Sequence, residues 1–298
     1  MSQLDIENLH SLLSNLESLP LLSFRDSYTK IRELGRGSYG IVYLGYQISD
    51  LENRLAIKEN RKIRGYIDNS DFDRALATIE MILTEFKIIK RLSEGGCRPG
   101  ILCYDNFFMD IDTDYIYLVT KYIEGLTLTK FVPLLIQHYP KDRVHTIMMS
   151  ILLEILTNLS YVHESGIIHS DIKPDNIMVR IENGKYQAVI IDFGLSCFSK
   201  LSDCTERGSL IYRAPETFIE SQVYQASDIW SLAISFYDLL IADPYPDSTT
   251  PLELKTTITY PKTRLDFKTG YLKLDDIINS MLVFDYKNRP NVETLLNK

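Results

Sequence analysis

Nine residues constrain this chain more than any others: Ile168-His169-Ser170-Asp171-Ile172-Lys173-Pro174-Asp175-Asn176. Asp171, Lys173 and Asn176 place a carboxylate, an ammonium group and a carboxamide within one short stretch, and Pro174 stiffens the turn among them. A carboxylate so placed can accept a hydroxyl proton. The ammonium group can neutralise a phosphoryl oxygen, and the carboxamide offers a neutral oxygen to a hard cation such as magnesium. Sixteen residues beyond Asn176, after the apolar run Ala188-Val189-Ile190-Ile191, Asp192-Phe193-Gly194 supplies a second candidate metal ligand.

The bulk properties leave room for this chemistry and exclude others. With 298 residues, 45% of them hydrophobic, the chain can bury a large core in one domain or two lobes. A formal net charge of -8 argues against a general polyanion binder. The basic run Lys58, Arg61, Lys62 and Arg64 reads as a solvated loop rather than a nucleic-acid patch. Cys97, Cys103, Cys197 and Cys204 form no CxxC pair, so free thiols in a reducing compartment are expected, without a zinc site or disulfide framework. The histidines show no metal-ligand spacing. No secretory leader, lipidation motif or apolar run near the roughly 18 residues of a membrane span is read. The expectation is an intracellular, cytoplasmic protein without nucleic-acid or membrane partners. Oligomeric state is not legible.

Along the chain, leucines 4, 9, 12, 13, 16 and 19 recur at helical spacing, Ser2 with Asp5 resembles a capping box, and Pro20 should end the helix. From Ile31 to Leu44 the pattern is strand, tight hairpin, strand. Glycines at 35, 37 and 40 allow the backbone to approach a phosphate without a Cβ in the way. A strand rather than a helix follows, which argues against a dinucleotide fold. Leu55-Ala56-Ile57-Lys58 reads as a strand that turns Ala56 and Lys58 to one face. A polar connector covers 59–72. A helix follows to Leu92, then strands near 101–109 and 115–122. Arg143 to Ser165 is a long amphipathic helix that Gly166 ends. Residues 177–179 and 188–191 form a hairpin around Asn183-Gly184.

Taken in order, these stretches resemble the eukaryotic-type protein kinase superfamily over residues 28 to 298. Besides the opening stretch and Asp192-Phe193-Gly194, the resemblance rests on the glycine loop, on Leu55-Ala56-Ile57-Lys58 and on Glu85-Phe86-Lys87-Ile88-Ile89-Lys90-Arg91-Leu92. It also rests on Gly208-Ser209-Leu210-Ile211-Tyr212-Arg213-Ala214-Pro215-Glu216, on Asp228, and on Arg289, which would pair with Glu216. It implies an α+β, bilobal fold with a small antiparallel N-lobe sheet bearing one main helix and a larger, mainly helical C-lobe. The implied boundaries are a helical extension over 1–27, an N-lobe over 28–120, a hinge over 121–125 and a C-lobe over 126–298.

The same resemblance implies an ATP- and magnesium-dependent serine/threonine kinase acting on protein hydroxyls, with a nucleotide-binding pseudokinase or scaffold as the alternative. Asp171 would be the catalytic base and Lys173 would neutralise the γ-phosphoryl. Asn176 and Asp192 would hold magnesium. Lys58 would contact the α/β-phosphates; Glu80 and Glu85 both qualify as its partner, and the motif favours Glu85. The loop of Leu34, Gly35, Arg36, Gly37, Ser38, Tyr39 and Gly40 would cover the phosphates. Val42, Ala56, Thr120 and Met178 would enclose adenine, and the backbone of Lys121 and Ile123 would hydrogen-bond it. Thr127 occupies the place of a ribose contact. Lys173 together with Ser209 resembles serine/threonine rather than tyrosine kinases. The clearest departure is Ser170, where family members that need a loop phosphate carry arginine. A serine hydroxyl cannot make that bidentate ion pair, so phosphorylation of Thr205, at the usual phosphosite, is expected to be dispensable.

Overall fold

The computed structural model describes residues 3–37, 40–60, 66, 72–113, 115–200, 204–241, 243–260 and 265–298. Chain contacts define two compact units, Met1–Arg98 with Leu102–Ile123, and Pro99–Ile101 with Glu124–Lys298. The first is built on a sheet and the second is mainly helical, an α+β arrangement consistent with the kinase fold.

The first unit opens with α1 (Gln3–Glu17), whose Leu16 is buried and which packs on α3 (Phe72–Leu92). Its capping residue Ser2 and the side chains of leucines 4, 9 and 12 lie outside the described residues. Six strands follow: β1 (Leu21–Leu22), β2 (Tyr28–Arg36), β3 (Gly40–Gln47), β4 (Asp50–Asn60), β5 (Tyr104–Asp110) and β6 (Ile116–Lys121). Their order across the sheet is β1-β5-β6-β4-β3-β2, with β1 parallel to β5 and the other pairs antiparallel. One face buries Tyr28, Leu55, Ile57, Phe108, Tyr117 and Val119. The other carries α3, whose Phe86 ring stacks on Phe107 with centroids 4.1 Å apart.

The expected helical extension over 1–27 is helical only in part. After Pro20 the chain joins the sheet: Met109 N–H donates to Pro20 O at 3.1 Å and Ile111 N–H to Leu22 O at 3.2 Å. Phe24, in the single turn α2 (Phe24–Ser27), then stacks on Tyr117 at 4.5 Å. A strand of two residues is too short to show a period of two, which is why pattern reading passes over it.

In the second unit β7 (Leu126–Thr127), β9 (Ile177–Glu182) and β10 (Lys185–Ile190) form a sheet ordered β10-β9-β7. The β9–β10 hairpin turns at Asn183 and Gly184, both at positive φ (51° and 72°), the requirement that Asn-Gly meets. The short pair β8 (Ile167–Ile168) and β11 (Cys197–Phe198) is antiparallel. The helices are α4 (Leu128–His138), α5 (Lys141–Glu164), α6 (Pro215–Ile219), α7 (Gln225–Leu240), α8 (Pro251–Thr259), α9 (Leu272–Met281) and α10 (Val292–Leu296). Against the expectation that no apolar run approaches a membrane span, among the described helices α5 alone has the length and apolar content of one. Its residues from Val144 to Val162 are instead largely buried in the core. Glu216 of α6 and Arg289 form a buried bidentate ion pair at 2.8 and 3.0 Å.

The cysteines depart from expectation. None is free: Cys97 pairs with Cys103 and Cys197 with Cys204, with Cα atoms 5.2 and 5.6 Å apart. Neither spacing belongs to a CxxC motif. The turn after α3 closes the first pair, and the β8–β11 pairing sets the position of the second, neither of which is written locally.

Candidate functional site

Two groups of side chains, one in each unit, gather the residues singled out by the sequence. In the first unit strand register does the gathering. Val42 lies opposite Lys58 and Leu44 opposite Ala56, while across the next pair Lys58 faces Leu118 and Ala56 faces Thr120. Residues opposite one another, and those two apart on a strand, share a face. Val42, Ala56, Lys58 and Thr120 are therefore on one face, the one that α3 covers. From α3, Glu85 reaches the same place, and Lys58 Nζ donates to Glu85 Oε1 at 2.6 Å and Oε2 at 2.7 Å. Glu80, the other candidate partner, is exposed. Glu85 is 3% exposed, so the pair is a positioning device whose attraction is offset by desolvation.

The glycine loop is the end of β2 and the start of β3. Gly37 N–H donates to Gly40 O at 3.0 Å, which closes the turn; Ser38 and Tyr39 lie outside the described residues. Leu34 is half-buried, and Arg36 is exposed and paired with Glu33 at 2.8 Å. At the end of β6, Lys121 N–H is taken up by Cys103 O at 3.0 Å. Ile123 closes the first unit. In the second unit, Met178 lies opposite Thr127. The Thr127 hydroxyl oxygen, at the start of α4, is buried without a hydrogen-bond partner.

The second unit's group is organised by Asp228 in the first turn of the buried helix α7. Its Oδ2 accepts the His169 N–H at 2.9 Å and its Oδ1 the Ser170 N–H at 2.8 Å, and His163 Nε2 lies 2.9 Å from Oδ2. Ser170 is thereby held at φ 67°, a left-handed conformation that a serine adopts only when its surroundings impose it. The next residue, Asp171, is 6% exposed, with both carboxylate oxygens engaged. Ser209 N–H donates to Oδ1 at 2.8 Å. Lys173 Nζ donates to Oδ2 at 2.7 Å, and Asn176 Nδ2 to the same oxygen at 3.0 Å. Lys173 Nζ also donates to Ser209 Oγ at 2.8 Å. Gly208 approaches so closely that a Cβ would collide with Ser170 O, and its φ of 92° excludes other residues as well. Burial pushes the Asp171 carboxyl up. The Lys173 hydrogen bond and charge, with the Ser209 N–H, outweigh that and hold it below its usual range.

Asp192 is exposed at φ 60°, and its Oδ1 accepts the Gly194 N–H at 3.3 Å. The adjacent Ile191 N–H donates to Asn176 O at 2.9 Å, which brings Asn176 and Asp192 to neighbouring backbone positions. Among the described residues no cluster of three or more His, Cys, Asp or Glu side chains is placed to hold a metal. One carboxylate and one carboxamide fit magnesium, a hard ion that takes few protein oxygens and completes its shell with phosphate and water. Thr205 is exposed, and the Arg207 guanidinium, which sequence reading did not single out, lies 3.5 Å from its hydroxyl.

Residues 28–298 match the family model described as protein kinase domain. The chain is 28% identical to the serine/threonine-protein kinase ULK3 of Xenopus laevis over 241 residues, covering 80% of this chain and 47% of that protein. It is 28% identical to the human serine/threonine-protein kinase Nek10 over 299 residues, 96% of this chain and 24% of that protein. The chain thus spans less than half the length of either relative.

Removing the Asp228 carboxylate should be costly. Asp228→Ala would orphan two buried N–H groups at about 1–3 kcal/mol each, so urea unfolding should show a loss of about 2–6 kcal/mol. Asp228→Asn, which keeps one acceptor oxygen, should lose about half as much.

Proposed function

The chain belongs to the protein kinase domain family, and from that premise we propose that it is an active serine/threonine kinase, transferring the γ-phosphoryl of ATP to hydroxyls of protein substrates. The observation that carries this reading is the ionised, fully oriented carboxylate of Asp171, held by Ser209, Lys173 and Asn176. Phosphoryl transfer asks a protein for position and charge more than for covalent chemistry. Asp171 orients the acceptor hydroxyl and takes its proton as the oxygen attacks phosphorus. Lys173, already bonded to Asp171, sets its ammonium charge against the transferred group. Asn176 and Asp192 would hold magnesium, which when bound would neutralise phosphate oxygens. In the first unit, Lys58, positioned by Glu85, binds the α/β-phosphates, and the loop from Leu34 to Gly40 covers them. Val42, Ala56 and Thr120 give the first unit an adenine-binding face, beside the backbone of Lys121 and Ile123, and in the second unit Met178 is the apolar residue assigned to adenine. The Lys173–Ser209 contact supports a serine/threonine rather than a tyrosine acceptor.

One assay separates this reading from a nucleotide-binding scaffold. Purified protein with labelled ATP, magnesium and generic protein substrates should label serine and threonine, and Asp171→Asn should abolish the label while nucleotide binding persists. Binding without transfer by the unaltered chain would establish the scaffold instead. Thr205→Ala should keep activity within about tenfold, because position 170 offers no guanidinium to clamp a loop phosphate; a larger loss in a folded, ATP-binding variant overturns this.

The pH dependence follows from the depressed Asp171 carboxyl. A folded-state value below the unfolded one, about 3.9, contributes stability above about pH 4 that is lost as pH falls through the folded value. The acid limb of kcat/KM should accordingly lie below the ordinary carboxylate range. In Lys173→Met the burial remains and the counter-charge is gone, so that limb should move to higher pH. An unmoved limb in the kcat/KM profile would show that Lys173 does not hold Asp171 ionised.

A further inference from the structure

Cys197 and Cys204 lie where the second unit's catalytic loop meets the segment that follows Asp192. Cys197 is in β11, paired with β8, which runs directly into His169 and Asp171. Cys204 sits on a second backbone tie: its carbonyl accepts the Val223 N–H at 2.9 Å, Thr205 bridges Gln222, and Glu206 N–H donates to Ser221 O at 3.1 Å. Four and five residues beyond Cys204, Gly208 packs on Ser170 O and Ser209 N–H donates to Asp171. The bond between the two sulfurs therefore joins β11, the hydrogen-bonded partner of the strand before the catalytic loop, to the start of the segment that holds the base.

The surroundings accommodate the thiols as well as the bond. Cys197, Cys204, Ile168 and Val223 form a buried apolar cluster, and the two sulfurs are 1% and 4% exposed as residues. Each sulfur also has a polar neighbour outside the pair. Ser170 Oγ lies 3.8 Å from Cys197 Sγ, and Phe198 O lies 3.3 Å from Cys204 Sγ, so that the thiols of an opened bond keep hydrogen-bond partners. Cys204 and Ile168, with Gln222, Val223 and Tyr224, line a cavity of about 390 Å³ beside the pair. Ser170 stands at the position whose arginine, in the resemblance above, would clamp a loop phosphate. Here its hydroxyl faces a sulfur.

We propose that Cys197 and Cys204 form a reversible redox-modification site that fastens residues 204–209 against the catalytic loop, the oxidised form being the one that binds protein substrate productively. The oxidant is a small disulfide of the glutathione class. The Cys204 thiolate attacks one of its sulfurs, expelling one glutathione thiolate and leaving a mixed disulfide. The Cys197 thiolate then attacks the Cys204 sulfur and expels the second. Two protein thiols lose two electrons and two protons; one glutathione disulfide becomes two glutathione thiols. Closing so short a loop favours the ordered segment by on the order of tenfold to a hundredfold. The effect on substrate rests on the kinase reading; the effect on order does not.

The test uses the full chain carrying Cys97→Ser and Cys103→Ser, equilibrated in glutathione buffers of graded poise. Peptide mass spectrometry reports the 197–204 cystine, hydrogen exchange reports 204–209, and labelled ATP reports transfer to a protein substrate. The cystine should form and reopen across these buffers. Exchange at 204–209 should slow by about tenfold or more on oxidation, and the substrate KM should fall by a similar factor while the KM for ATP stays unchanged. Cys204→Ala should behave as the reduced form throughout. A cystine that never forms, one that no glutathione poise reopens, or equal exchange in both forms overturns the proposal. Redox-dependent exchange with no phosphotransfer in either form leaves the fastening in place and rejects the kinase reading.

Discussion

The Asp228 carboxylate, buried in the first turn of α7, holds the backbone N–H groups of His169 and Ser170 and touches His163. Three groups converge on one anion, and the anion is itself anchored in a helix whose residues from Ser227 to Phe236 are all buried. A chain turning at a left-handed Ser170 has no local reason to do so. The strain at that residue is offset by charge-assisted hydrogen bonds. Because the loop is fixed at its base, Asp171 and Lys173, which lie outside helix and strand, meet Asn176, the last residue of the single 3-10 turn Pro174–Asn176, within 3.0 Å.

The first unit reaches precision by another route. Its residues are not tied to a central charge but set by register. A shift of one residue between β3 and β4 would send Lys58 to the opposite face, into the core of Leu55, Ile57 and Val119. That core, extended by Phe24 from the segment before β2, is therefore part of the specification of the site face, although it touches none of it. The Lys58–Glu85 pair then ties the orientation of α3 to the sheet.

Much of this was legible before any coordinates. The long helices at 72–92 and 141–164 follow from the 3.6-residue period of their apolar positions, and the β9–β10 hairpin from Asn183-Gly184. The candidate catalytic residues were legible because side-chain chemistry clusters in a short stretch of chain. The two-residue β1 and the helices α8 and α9 were passed over, and the burial of the Thr127 hydroxyl was not legible. Their signals are either too short for a period or depend on what packs above them. The sulfurs are the clearest case, since residue spacing alone suggested free thiols.

By itself the sequence determined the set and order of motifs, and with them the family to which residues 28–298 belong, because glycine, proline and charge at close spacing restrict the backbone directly. The motifs already favoured Glu85 over Glu80 as the partner of Lys58. Tertiary structure alone decided that Ser209 N–H meets Asp171 and that Cys197 meets Cys204 beside Ser170. Each of these joins residues brought together by packing. Such contacts are fixed only when the chain has closed on itself, and no local propensity records them.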